Sequence, residues 1–252
     1  MDDREYSELL RHAMSELTKQ FAHPTEIGDT LCGVTASAVD LIDGVESADV
    51  LLVAGPELFR SIAATSQLAI EIDDLQKHFR EGPCLDAAIG NPMVMSNDLR
   101  EDSRWPSFAA AAVAAGVHSL MSFQLYTHNA RMGALNLFGL KPDVFTIQNE
   151  AVGAMLATHA AVALIADDER LQFQSALASR DIIGQAKGII MERFDVDAVR
   201  AFELLRSLSQ NTNTRLALVA EELVSRGPEP IPRNKSARSG QQSNGAVAQP
   251  VR

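Results

Sequence analysis

The sequence predicts an α+β chain: short strands, two of them paired as an antiparallel hairpin, among helices, then further helices reached through one long helix. Three observations carry this. Short apolar runs of strand length alternate with helical stretches over residues 48–140. From Ile147 to Phe194 there is no proline, and a continuous helix of that length spans about 70 Å at 1.5 Å per residue. Beyond it lie two shorter amphipathic segments and a tail rich in Pro, Ser, Gly, Gln and Asn.

Taken in order, Tyr6 to Phe21 reads as an amphipathic helix, with Leu9, Leu10, Ala13, Met14, Leu17 and Phe21 at three- and four-residue intervals. His23-Pro24 ends it. Thr25 is the expected N-cap of a second helix that buries Ile27, Leu31, Val34, Ala38 and Leu41, with Cys32 beside that line as a small core residue. Strands are expected over Ala48–Val53 and Phe59–Thr65, separated by the Gly55-Pro56 turn. Residues 66–80 turn helical, burying Leu68, Ile72, Leu75 and Phe79. A short helix from Cys84 to Ile89 and a short strand from Pro92 to Ser96 follow. Trp105-Pro106 opens an alanine-rich helix that Gly116 stops. His118–Thr127 and Met132–Leu140, joined at His128-Asn129, should pair as a hairpin.

In the long helix, Val152, Met155, His159 and Val162 give about two heptads, a stripe suited to a dimer contact. Further along, Ile182, Ala186 and Ile189 form an apolar line, thickened by Ile183, Ile190 and Phe194. On the other side Arg180, Gly184, Lys187 and Met191 follow one another at helical spacing. A glycine inside a helix costs roughly 1 kcal/mol relative to alanine, so Gly184 and Gly188 suggest that a partner comes close. A solvated face with ordinary surface charges is the bland alternative. The next helix starts near Asp195 or Asp197 and buries Ala201, Phe202, Leu205 and Leu208. After the cap-rich Asn211–Thr214 turn, the last helix buries Leu216, Val219, Ala220, Leu223 and Val224.

Charge is uneven. Residues 1–170 carry 11 Lys+Arg against 25 Asp+Glu, whereas residues 171–252 carry 11 against 8. An acidic body discourages indiscriminate contact with nucleic acid, while the basic end permits a local one. No run approaches the roughly 18 consecutive apolar residues of a membrane span, and the acidic N-terminus does not read as a secretory signal. With two cysteines and no disulfide pattern, a cytoplasmic protein is expected.

The C-terminal pattern is Arg180, Ile183, Gln185-Ala186-Lys187-Gly188, Met191 and Arg193, then Ala201-Phe202, Leu205-Arg206 and Ser209, then Asn213, Arg215-Leu216 and Val219-Ala220. It resembles the ANTAR domain, a three-helix RNA-binding module of bacterial antitermination regulators. The resemblance implies binding to tandem RNA stem-loops that keeps a terminator from forming. Many members carry a second basic residue where this chain has Ala217, so phosphate contact can either weaken or shift toward the tail, made basic by Arg233, Lys235 and Arg238.

Upstream, Glu81-Gly-Pro-Cys-Leu-Asp-Ala87, Asp102-Ser-Arg-Trp-Pro106 and Met132-Gly-Ala-Leu-Asn-Leu137 resemble a GAF domain, particularly those fused to ANTAR domains in actinobacteria. That resemblance implies an antiparallel sheet flanked by helices, a sensor with a small-molecule, redox or partner input, often dimeric, and no cofactor is expected. The expected divisions are a helix over 1–24, a GAF sensor over 25–166, an ANTAR domain over 167–226 and a basic tail over 227–252.

An RNA hairpin offers phosphates, 2′-hydroxyls and unstacked bases. Arg180, Lys187, Arg193, Arg206 and Arg215 suit the phosphates; Gln185 and Asn213 suit the bases. Structural roles compete: Gln185 can bond between helices, Asn213 can cap, and Arg193 can favour a helix C-terminus. Two rival functions remain open at this point. A DNA-binding helix-turn-helix has similar size, although it concentrates its cations on one recognition helix. A thiol redox enzyme would use Cys84 or Cys32, without a nearby second thiol or a Cys-x-x-Cys. Haem or iron would require His78, His118 or His128.

Overall fold

The computed structural model describes residues 26–53, 59–126 and 132–226, together with Ser7, Glu8, Arg11, His12, Met14 and Ser15. Most of the expected N-terminal helix, Thr25, the Gly55-Pro56 and His128-Asn129 turns, and the tail from 227 onward lie outside these residues. The chain divides into two compact units, Met1–Leu171 and Gln172–Arg252.

The first unit is built on five strands: β1 (Ser47–Val53), β2 (Phe59–Ile62), β3 (Met93–Ser96), β4 (Ser119–Tyr126) and β5 (Met132–Gly139). Their order is β2-β1-β5-β4-β3, and every pairing is antiparallel. Side chains alternate across a strand, so each face of the sheet gathers its own core. Val50, Phe123, Leu135 and Leu137 pack with Leu31, Val34 and Ala38 of α1 (Ile27–Leu41) and with Val152, Leu156 and Ala160 of α5 (Ile147–Phe194). On the opposite face Leu51, Leu120, Ala134 and Phe138 pack with Ile72 of α2 (Gln67–Phe79), Cys84 of α3 (Pro83–Ile89) and Phe108 of α4 (Pro106–Ala114). Each such leucine or phenylalanine contributes roughly 1.5–3 kcal/mol of transfer free energy.

The motif residues of this second face hold its helices in place. The Ser66 hydroxyl caps α2, accepting from the Ala69 amide. Gly82 has φ +137°, and a Cβ there would collide with the Gln76 side chain. Gln76 Oε1 in turn accepts from the Cys84 amide at 2.9 Å. The Glu81 carboxylate accepts from the amides of Ser107 (2.9 Å) and Phe108 (3.1 Å), satisfying the otherwise orphaned N–H groups at the start of α4. Trp105 is buried and donates its indole N–H to Asp86 at 3.0 Å, with the Arg104 guanidinium over its ring.

Three expectations for this unit need correction. Glu26 occupies the N-cap position of α1 without a side-chain cap bond, so that helix starts on backbone geometry. Cys32 is exposed, because the buried line of α1 turns through Leu31, Val34, Thr35 and Ala38 and leaves it outside. Val152 and His159 are buried with the sheet, so that part of the heptad stripe serves the core of its own unit. Burial lowers the His159 pKa below its ordinary value. Helix α5 does contain an 18-residue window of mean hydropathy 1.3, long and apolar enough to span a bilayer. Half of that window is buried inside the protein, as a core helix requires.

The second unit comprises the C-terminal part of α5, α6 (Ala198–Thr212) and α7 (Leu216–Ser225). Its core is Ala186 and Ile190, Ala201 and Leu205, and Val219 and Ala220. Each helix contributes one fully buried alanine, which lets the three backbones approach closely. Asp197 caps α6, its carboxylate accepting from the Arg200 amide at 2.7 Å. Phe202 (39% exposed), Leu208 (47%) and Phe194 (61%) lie largely outside the expected core, because alanines at the contact leave it too thin to cover them. Met191 moves the other way: it packs on the core and does not continue the cationic line.

Candidate nucleic-acid interface

The second unit presents its cations from all three helices. Arg180, Arg206 and Arg215 are exposed and Lys187 is half-buried. Among the described residues, none of these four forms an ion pair. Three other arginines of these helices behave differently. Arg170 pairs with Asp167 (2.7 Å), Arg200 with Glu203 (2.9 Å) and Arg226 with Glu222.

Arg180 and Lys187 are seven residues apart on α5, so they project within about 20° of one another around the helix axis. Gly184 lies between them, and a Cβ built on it meets nothing within 4 Å; the same holds for Gly188. The α5 backbone is thereby bare along this edge. Gln185 is two residues from Lys187, about 200° around the helix, and points along a different side. Arg193 sits in the last turn of α5, where a cation suits the helix C-terminus. Arg206 is on α6, and Arg215 is the N-cap residue of α7. Between them Asn213 takes the left-handed conformation (φ 49°, ψ 36°), and its N–H bonds back to the carbonyls of Gln210 and Ser209. Asn213 therefore ends α6 with its backbone and keeps an exposed side-chain amide. The Ser209 hydroxyl donates to the Thr214 carbonyl at 2.6 Å, which closes the same turn.

A second polar grouping was not anticipated. On the α2 face of the sheet, Asp49 of β1 stands opposite Asn136 of β5, which stands opposite Ser122 of β4. All three are buried. Asn136 donates to Asp49 Oδ1 (2.9 Å) and accepts from the Ser122 hydroxyl (2.8 Å). Asp73 of α2 reaches the same Asn136 nitrogen at 3.4 Å. The available signal was a polar residue flanked on both sides by apolar ones in each of three strands, in Ala48-Asp49-Val50, Met121-Ser122-Phe123 and Leu135-Asn136-Leu137.

Cys84 lies beside this row, fully buried, and its thiol pKa is pushed well up by burial and by the charge of Asp73. It is a protonated, sealed thiol in this conformation, not an activated nucleophile. Among the described residues, no three His, Cys, Asp or Glu side chains gather to hold a metal ion. His128 lies outside them.

Comparison with known proteins bears on both units. The family model of the GAF domain matches residues 4–165, and that of the ANTAR domain matches residues 171–224. No curated protein matches the sequence. Among solved structures, the fold is similar to a GAF domain from a phosphoenolpyruvate-protein phosphotransferase of Coxiella burnetii. That match has 15% identity and a TM-score of 0.50, over 69% of this chain and 99% of that one. A bacteriophytochrome from R. palustris is similar at 13% identity and TM-score 0.51, over 75% of this chain and 43% of that one. Free methionine-R-sulfoxide reductase from Neisseria meningitidis matches at 16% identity and TM-score 0.47, over 68% and 95%. At such identities the first two likenesses speak to the fold alone.

Proposed function

Because the chain belongs to the GAF family and carries an ANTAR domain behind its sensor, we propose that it grips tandem RNA hairpins and keeps a terminator from forming. In coarser terms it is a regulator with a sensory domain and an RNA-binding antitermination domain. The finer reading rests on one observation above all. Arg180, Lys187, Arg206 and Arg215 are without ion-pair partners among the described residues, whereas Arg200 and Arg226 are paired with carboxylates. A cation already paired gives up its partner on meeting a phosphate, and an unpaired one does not.

In this reading Arg180 and Lys187 hold one strand of the stem along the bare edge of α5. Arg206 and Arg215 hold phosphates from the other two helices, and Asn213 offers its amide to a loop base. Gln185 and Arg193 contact RNA only where it wraps around α5. Four or five phosphate contacts per module give modest affinity, so two protomers engaging two hairpins supply the rest. The exposed Phe173 (66%) and Leu177 (45%), one helical turn apart, support pairing of two copies as a homodimer. The sensor half takes a small-molecule or other input, and acting on nascent transcripts places the chain in the cytoplasm.

Gel-shift with a tandem-hairpin leader RNA tests the reading, using the unmodified protein and Lys187→Ala. Binding that weakens in the variant, and that duplex DNA does not compete away, is the expected result. An unchanged shift removes Lys187 from the interface, and equal competition by duplex DNA makes the chain a DNA-binding regulator instead.

A further inference from the structure

We propose that Asp49 and Asp73 are a proton-sharing carboxyl pair through which the sensor unit registers pH. This goes beyond RNA binding and does not depend on it.

Asp49 is fully buried on β1, and Asp73 is 4% exposed on α2. One nitrogen, Asn136 Nδ2, donates to an oxygen of each, at 2.9 and 3.4 Å, so the two carboxyls meet at a single amide. The other donors are neutral. From β2 the Ser61 hydroxyl reaches Asp49 Oδ2 at 3.3 Å, and within α2 the Gln76 amide reaches Asp73 Oδ1 at 3.3 Å. From β4 the Ser122 hydroxyl is spent on Asn136. From α3 the nearby titratable group is the Cys84 thiol, itself held protonated, and further along α2 Asp74 adds negative charge. Among the described residues no Lys, Arg or His bonds to either carboxyl. Among the described residues, no group comes within hydrogen-bonding geometry of the buried Asp73 Oδ2.

Two carboxylates out of water, with no cation and one bare oxygen, cannot both stay ionised cheaply. A proton on Asp49 lets it donate toward Asp73, supplies a missing donor and removes one of two like charges. Burial is the largest cause raising both groups; Asp73 is pushed from 3.8 to about 6, and Asp49 well above the ordinary range with the charge of Asp73 adding to it. The pair takes up its protons from solvent as pH falls and returns them as pH rises, titrating as a unit. Because the folded values lie above the unfolded ones, the stabilisation is complete below the ordinary carboxylate value. It is lost as pH climbs through about 6 and beyond. Alkalinisation thus leaves β1 and α2 pressing two negative charges together.

Trp105 is the sole tryptophan and is buried on the same face of the sheet, so its fluorescence follows unfolding of this unit in the full chain. The expected result is a melting midpoint that falls by roughly 5 °C or more between about pH 5 and about pH 8. Asp49→Asn places an amide where the proton sits; it should raise the midpoint at the alkaline end and flatten the dependence. A flat profile in the unmodified protein, or an unchanged slope in Asp49→Asn, overturns the proposal. Should that variant fail to fold, Asp73→Asn and the carboxyl 13C shifts of aspartates in the unmodified chain decide. If every aspartate is ionised at about pH 5, the pair holds no proton. RNA plays no part in these readouts, so the two proposals fail separately.

Discussion

Gly184 and Gly188 set two energies against each other at single positions. A methyl added at either would meet nothing within 4 Å, so Gly184→Ala should stabilise the second unit by about 1 kcal/mol, as helix propensity dictates. If the bare edge meets a phosphate backbone, the same methyl should weaken RNA binding. Urea denaturation and gel-shift on one variant therefore move in opposite directions; movement of stability alone would mean the edge is only solvated. At Lys187 the expectation is electrostatic. Replacing it by alanine should weaken binding to different hairpins about equally and lower the salt slope by about one. Titrations at several salt concentrations check it.

Between residues and the whole chain, caps and close contacts decide which helices stand. Glu81 ties the loop before α3 to α4 by accepting from two amide groups, so Glu81→Ala should cost about 1–2 kcal/mol, read from denaturant unfolding followed by Trp105 fluorescence. In the second unit, Ala201→Leu should cost about 1–3 kcal/mol by forcing α6 away from its neighbours, with helicity lost at lower urea. These elements also show what sequence can convey. Strand and helix periods were readable because alternation and 3.6-residue spacing are local properties, and Ile147–Phe194 was legible as one helix from its lack of proline. Phe202 and Leu208 misled because helical spacing says which face is apolar, not how far the neighbouring helices reach over it. Cys32 misled for the same reason. The Asp49–Asn136–Ser122 row escaped notice because it exists only once three strands fix their register, and register is a long-range property. The cations of the candidate interface were legible as types; which of them lack carboxylate partners was not.

On the scale of the molecule, an acidic stretch precedes a slightly basic one, 25 acidic against 11 basic residues before position 171 and 8 against 11 after it. If the four cations that lack ion-pair partners among the described residues meet phosphates, as proposed, the logarithm of RNA affinity should fall with the logarithm of salt at a slope of about −3 to −4. Filter binding across a salt series measures it, and a slope near zero would exclude a phosphate-led interface. The contrast between the two thiols gives the whole chain a chemical address. Cys32 faces solvent and Cys84 is sealed. A thiol-reactive dye added to native protein should attach once, on α1, and a second time only after denaturation. One site-selective label can then be installed on the sensor half without engineering away a cysteine.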